Sequence, residues 1–488
     1  METSLFGSLK RLAKHSVVYG IGHIVTRSLG FLLLPLYTNY LPAEEYGRAA
    51  LVFTFLAFMN VFYTYGMDVA FLRHYVLQED ERERRRFFST AYLSVSAVAL
   101  LWTALIELFP NAISGLVFGG RSFPTLIILS GGILLFDALS AIPFILLRAL
   151  EKSVQFTALK LLNVVVNLTA NIILIVHFKK GVEGIFLAQV LTSFFTFLTI
   201  TPILIRNFRF SFVPALEKML LQFGLPYVPS GLAVIIMDLI DRVLLDRKLG
   251  DAVTGIYSAG YKLGMIMALF VAAFRFAWHP FFLSTSKQEN AKAVFSKVLT
   301  YFSAGGALVF LTISLYIQDL VRVRILGKPI FGEQYWSSTV IVPVIMLSYL
   351  LYGVYVNFLV GIYLKKKTSY LPFVTGSGAI VNIGLNLLLI PLLGMMGSAW
   401  ATFGAYFTMA VLLYWIAQKA YFISYEWARL AKIVLAATVV FFLPRWAPAL
   451  SGAWVKIFVL GLFPVLLALQ GFFTREENRA LKRVFSRK

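Results

Sequence analysis

Long apolar runs, broken by short polar segments, follow one another along almost the whole chain. Fourteen of them cover approximately 15–38, 47–67, 87–109, 123–147, 155–177, 184–205, 219–245, 255–282, 296–319, 337–363, 370–392, 397–418, 429–447 and 453–473. Each is close to the ~20 residues an α-helix needs to cross a hydrocarbon core. No water is present there to satisfy a backbone amide, so a span of this length is helical. The pattern predicts an all-α polytopic membrane protein with about 14 transmembrane helices.

The pattern also repeats. Val381–Ala401, VNIGLNLLLIPLLGMMGSAWA, answers Val166–Ala188, VNLTANIILIVHFKKGVEGIFLA, with a two-residue deletion. A weaker echo joins LPAEEYG at 41–47 to LGDAVTG at 249–255, and the offsets lie between about 208 and 215 residues. Duplication on this scale predicts two related halves. The expected divisions are an amphipathic cytoplasmic tail at 1–14, lobes at 15–210 and 211–420, two further helices within 421–475 and a cytoplasmic tail at 476–488. Six spans per lobe is an even number, so both lobes enter the membrane in the same sense. This makes a parallel repeat of two six-helix lobes plus two C-terminal helices, with a substrate path expected between the lobes.

Composition agrees. Hydrophobic residues make up 59% of the chain, mean hydropathy is +0.80 and only 14% of residues are charged, against roughly 25% in soluble domains. The net charge of +21 does not indicate nucleic acid, because the basic residues sit in short loops between apolar runs. With the N-terminus inside, the tails and even-numbered loops, including adjoining span ends, hold 28 of the 44 Lys and Arg. The opposite loops hold 11 and the span interiors five, which places both termini in the cytoplasm. The run ERERRRFF at 81–88 is read as such a topology determinant rather than as a lipid-binding patch. The N-terminal apolar segment continues to about Tyr40 without a small-x-small cleavage site, so it is expected to be a retained first span behind a short interfacial turn. With no cysteine, a disulfide framework and thiolate metal sites are excluded.

No P-loop, dinucleotide fingerprint, HExxH or GxSxG is present. The informative residues are the ionisable ones at membrane depth, where a charge without a purpose is costly. Arg27 and Asp137 fall near the middle of the first and fourth spans, and Lys160 and Lys262 lie roughly 12 Å in from opposite sides. Arg27 and Lys160 either pair with Asp137 or line a cationic cavity for an anionic ligand. Arg275 and Arg242 lie nearer span ends, where snorkelling competes with function, and Arg242 follows Asp238 by one helical turn. His23, one turn before Arg27, reads as a packing residue. Cations at depth in both halves suit a diphosphate head whose lipid tail stays in the bilayer. Tyr349, Tyr352 and Tyr355 share one face of the tenth span, fit for core packing or for sugar rings. Pro226 and Pro229, in GLPYVPSG, are expected to kink the seventh span, as a static bend, gate or hinge.

Four stretches resemble a known family: SVVYGIGHIVTRSLGFLLLPLYTNYLPAEEYG, IMDLIDRVLLDRKLGDAVTGIYSAGYKLG, the KKKT before the eleventh span, and VNIGLNLLLIPLLGMMGSAWAT. They are similar to the polysaccharide transporter (oligosaccharide flippase) family of the multidrug/oligosaccharidyl-lipid/polysaccharide exporter superfamily, over about residues 10 to 420. The resemblance implies two lobes working by alternating access on a polyprenyl-diphosphate-linked glycan at a prokaryotic cytoplasmic membrane. It implies membrane lipid and polysaccharide assembly proteins as partners, no cofactor, and coupling to H+, Na+ or the membrane potential. Peptidoglycan-precursor (lipid II-type) flippases carry an Arg at the place of Arg27. A sodium site matched from relatives would use Asp241, Asn382, Asn386 and Thr402, with Asn386 where an Asp is expected. Asn167 and Asn171 hold the same places in the first half, which favours interhelical hydrogen bonding. Asp137 is the other coupling candidate. Rival readings are a cation-coupled multidrug exporter, which would want an acidic cavity, and a membrane glycosyltransferase, which would want carboxylates in a large outer loop.

Overall fold

The computed structural model describes residues 29–325, 327–447, 452–474 and 477. The described chain is helical almost throughout, and ten of its helices are long and apolar enough to cross a membrane. They are dressed with exposed apolar side chains such as Leu101, Val165, Leu388, Phe407 and Trp415, as a lipid-facing surface requires. The all-α polytopic architecture is therefore present.

By contact the chain forms two compact units, Met1–Lys262 with Asn382–Ser398, and Leu263–Val381 with Ala399–Lys488. The first unit begins with α1 (Leu34–Tyr40), α2 (Ala43–Thr64) and the short α3 (Met67–Leu77). Tyr65 and Gly66 end α2 in the left-handed region at φ 33° and 77°. Gly66 is required twice over, because a Cβ there would also overlap the Gly224 carbonyl. Next come α4 (Glu81–Leu108), α5 (Pro110–Val117), α6 (Pro124–Ala149), α7 (Ser153–Asn171) with a π-helical turn at Ile172–His177, and α8 (Gly181–Asn207). The Asp80 carboxylate caps α4 by accepting from Arg82 N at 3.0 Å, satisfying an orphan amide at the positive end of the helix.

The seventh span does break at its prolines. Helix α9 (Pro214–Gly224) stops before Pro226, and α10 (Tyr227–Gly264) starts just after it. Pro229 falls in the first turn of α10, where its missing N–H has no intrahelical partner to lose. Gly250, at φ 84° and ψ 177°, interrupts α10 between the seventh and eighth spans.

At that point the echo between LPAEEYG and LGDAVTG becomes a physical contact. A Cβ on Gly47 would overlap the Asp251 carbonyl, and a Cβ on Gly255 would overlap the Ala43 carbonyl. Residues 43 and 47 are the repeat equivalents of 251 and 255, so the contact is reciprocal, like an isologous interface within one chain. Small residues are what allow two helices to approach this closely. Gly255→Val is expected to separate α2 from α10 and destabilise the protein by about 1–3 kcal/mol, read by thermal unfolding. Gly376→Ala, with open space around its Cβ, should leave the midpoint within error.

The second unit contains α11 (Ile266–Thr285), α12 (Ala291–Arg322), a two-residue hairpin of β1 (Arg324–Ile325) and β2 (Lys328–Pro329), α13 (Val342–Leu364), α14 (Leu371–Leu393), shared with the first unit, α15 (Met395–Ala420), α16 (Trp427–Trp446) and α17 (Ala453–Leu469). The last two helices are tied to α12 by charge. Thr300 donates to Glu426 at 2.6 Å, Glu426 pairs with Arg429 at 3.0 Å, and Lys456 lies 2.5 Å from Asp319.

Candidate functional site

In the first unit Lys262, expected at membrane depth, ends up inside an aromatic box. Its Nζ lies 5.5 Å from the ring centre of Tyr46, 5.7 Å from Phe53 and 5.9 Å from Tyr37. No carboxylate lies within ion-pair distance of it among the described residues. Cation–π contacts hold an ammonium without neutralising it, so the positive charge remains available to an anion.

Tyr37 connects this box to the repeated asparagines, donating to Asn171 Oδ1 at 2.9 Å. Asn171 Nδ2 in turn donates to the Asn167 carbonyl at 2.9 Å and to Asn167 Oδ1 at 3.0 Å. Asn386 makes the same two bonds to Asn382, at the same two distances. Asn167 then reaches Gln189 at 2.9 Å on α8, whereas Ser398 donates to Asn386 at 2.5 Å. The VN-x3-N motif is thus a buried helix-to-helix clamp in both halves. Thr402, equivalent to Gln189 in the repeat, is buried on α15.

Asp241 is fully engaged. Its Oδ1 lies 2.5 Å from Arg242 Nη1 and accepts from Arg242 N at 2.9 Å, while Oδ2 accepts from the Tyr257 hydroxyl at 2.6 Å. The guanidinium also stacks over Tyr261 at 3.9 Å and donates to the Asp238 carbonyl at 2.5 Å. Arg242 is buried, which removes the snorkelling alternative. A cation at Asp241 would have to displace one of these donors.

Lys160 sits on α7 with its ammonium 4.2 Å from the Phe144 ring centre. It feels the charge of Asp137 without contacting it as an ion pair among the described residues. Asp137 itself is exposed in the middle of α6. In the second unit Arg275 donates to the Tyr352 hydroxyl at 2.9 Å. Tyr352 stacks on Tyr355 at 5.8 Å and meets Tyr406 at 5.4 Å. Tyr349 and Tyr355 are buried, so two of the three stripe tyrosines pack and Tyr352 carries the polar contact. Arg27 and His23 lie outside the described residues.

One cluster escaped the sequence reading. Arg121, between α5 and α6, reaches Asp246 at 2.5 Å and Asp251 at 2.6 Å, and Arg48 on α2 reaches the same Asp251 oxygen at 3.1 Å. Asp246 and Asp251 lie between the seventh and eighth spans, beside the glycine contact. Burial pushes the Asp246 carboxyl up to about 6, with Asp251 adding to the rise and Arg121 opposing it. A carboxyl raised above its ordinary ~3.9 binds its proton more tightly in the folded protein. Its contribution to stability is therefore present in acid and is lost as pH rises through about 6. Relative to Asp246→Asn, the wild-type protein is expected to lose unfolding midpoint between pH 5 and 7; a constant difference would refute this.

These helices, ten of them long and apolar enough to cross a membrane, define a multi-pass all-α membrane protein. Residues 12–286 match the family described as polysaccharide biosynthesis protein. That is more than half of the chain, which belongs to this family. The Lsg locus protein 1 of Haemophilus influenzae is 22% identical over 368 residues, covering 70% of this chain and 85% of the relative. The solved structure of the lipid II flippase MurJ in an inward closed conformation superposes with a TM-score of 0.69 at 18% identity, covering 92% of this chain and 98% of that one. An inward-facing multidrug resistance MATE family transporter of the MOP superfamily gives 0.61 at 14% identity, covering 83% and 97%. At these identities the two structures show a shared fold.

Proposed function

We propose that this protein is a flippase that exports polyprenyl-diphosphate-linked oligosaccharide, a cell-surface polysaccharide precursor, across a prokaryotic cytoplasmic membrane by alternating access. Both termini face the cytoplasm, and no bond of the cargo is made or broken. The observation that supports this reading is the Lys262 ammonium, ringed by Tyr37, Tyr46 and Phe53 and with no carboxylate counter-ion among the described residues; the apolar pattern of the sequence is what puts it at membrane depth. Within a polysaccharide biosynthesis family, the chemistry that answers such a cation is a lipid diphosphate. The head pairs with Lys262, joined by Arg27 and Lys160, while the polyprenyl chain stays in the bilayer. In the second unit Arg275 and Tyr352, paired with each other at 2.9 Å, are a separate substrate-binding candidate. An outside-positive potential favours outward movement of the anion by ~2.3 kcal/mol per charge per 100 mV. With Asp241 held by Arg242, a proton on Asp137 is the coupling species consistent with this arrangement, ahead of sodium at Asp241, Asn382, Asn386 and Thr402.

The test is native mass spectrometry of the purified protein with an undecaprenyl-diphosphate oligosaccharide, alongside flipping of the same lipid in reconstituted vesicles. Retention of the lipid-linked sugar, with flipping, is the expected result. Binding of cationic drugs with no retention of the glycan lipid would replace this reading with that of a drug exporter.

A further inference from the structure

The arginine run at 81–88 is more than a topology signal once folded. Arg82, Arg85 and Arg86 at the start of α4 share a cavity of about 600 Å³ with Arg209 and Ser211 from the α8–α9 connection, over 120 residues away in sequence. The connection is fastened to α4. Arg209 N donates to the buried Ser89 hydroxyl at 2.8 Å, Val213 N donates to that of Thr90 at 3.2 Å, and Phe208 packs edge-on against Tyr92 at 5.8 Å.

The cavity also contains two acids, Asp80 and Glu81. The first already serves as the α4 cap, and the second lies 3.7 Å from Arg85. Arg86 is taken by Glu83 at 2.6 Å. Arg82 and Arg209 have no carboxylate partner among the described residues, and the buried Nε of Arg85 has no acceptor. With Glu83 counted beside Asp80 and Glu81, four guanidinium groups meet three carboxylates, which leaves an excess of one positive charge and the unused, fork-shaped donors of Arg82 and Arg209. This is the donor set that suits a phosphate oxygen pair.

What surrounds the cavity indicates where that phosphate comes from. Phe210, set between Arg209 and Ser211, is 94% exposed, and Phe212 and Leu77 nearby are 50% and 70% exposed. Basic groups at a span end, flanked by outward-facing apolar side chains, fit a headgroup–acyl boundary. We propose that this cavity binds the phosphodiester headgroup of an anionic phospholipid in the membrane's own leaflet, with Arg82 and Arg209 on the phosphate and Phe210 among the acyl chains. The leaflet is the cytoplasmic one on the orientation proposed above, and the site is separate from the cargo cations.

Native mass spectrometry of the delipidated protein with phosphatidylglycerol or phosphatidylcholine tests it. Phosphatidylglycerol is expected to be retained at least fivefold over phosphatidylcholine. Arg82→Gln with Arg209→Gln should reduce that retention at least fivefold, and Arg209→Glu alone serves if the double variant does not fold. Phe210→Ser should weaken it too. An unchanged adduct in the arginine variants overturns the proposal. So does an equal drop in Arg206→Gln with Lys218→Gln, exposed cations of the same region outside the cavity. If glycerol 3-phosphate displaces the lipid at equal concentration and Phe210→Ser has no effect, the site takes the phosphate alone and the lipid assignment fails. Retention of the lipid-linked glycan in the same arginine variants is expected to be unaltered, so failure of this site and failure of the flippase reading are read separately.

Discussion

Arg242→Ala is expected to destabilise the protein by about 3–5 kcal/mol, the usual effect of stranding one member of a buried ion pair. The side chains of Asp241 and Arg242 are 1% and 7% exposed, so water cannot solvate the carboxylate left behind. Tyr257 would still donate to Oδ2, but Oδ1 would lose its counter-charge and keep only the Arg242 backbone N–H. The tyrosine rings of Tyr257 and Tyr261 would also lose the guanidinium that lies over them. Denaturant or thermal unfolding in a fixed detergent measures the change. Replacing both members, Asp241→Leu with Arg242→Met, should recover most of the loss, because no buried charge is then left alone. A loss below 1 kcal/mol in the single variant would show that Asp241 is neutral or otherwise paired.

The second large effect concerns cargo. Lys262→Ala is expected to weaken retention of the lipid-linked diphosphate by roughly 10- to 100-fold. A hydrogen bond to a charged group contributes ~1.5–3 kcal/mol, and each 1.4 kcal/mol is tenfold. Lys262→Arg, which keeps the charge and the stacking on Tyr46 and Phe53, should retain much more binding than Lys262→Gln. The ordering Arg above Gln separates an electrostatic role from packing, since Gln fills space without charge. If Lys262→Ala lowers the unfolding midpoint yet leaves glycan-lipid binding intact, the ammonium serves the helix bundle only. The proposed function would then have to rest on Arg27, Lys160 and Arg275.

Much of the architecture was legible along the chain. A span needs a run of apolar residues, and that is a local property of sequence. The VN-x3-N repeat was legible for a related reason. Asn167 and Asn171, like Asn382 and Asn386, are one helical turn apart, so spacing alone puts them in reach of each other. The break at Pro226 is similarly local, set by a ring that cannot donate a hydrogen bond.

The partners were a different matter. Arg242 sits four residues after Asp238, and helical spacing pointed to that pair; the folded chain keeps a bond to the Asp238 carbonyl and adds the adjacent Asp241 carboxylate, with Tyr257 and Tyr261 around it. Tyr37, Tyr46 and Tyr406 carried no signal in a chain with 16% aromatic residues, and only folding shows which rings surround Lys262 or meet Tyr352. The cluster of Arg121, Asp246 and Asp251 joins a loop to a segment more than 120 residues later, and Arg209 joins the arginine run over a similar distance. Hydropathy decides which segments enter the membrane because transfer free energy adds up residue by residue. Which charges meet depends on helix rotation and close approach, at Gly47 and Gly255 above all, and those are settled by packing among segments distant in sequence. The sequence by itself therefore determined the class of protein and its spans; only the tertiary structure decided which cations remain free for a ligand.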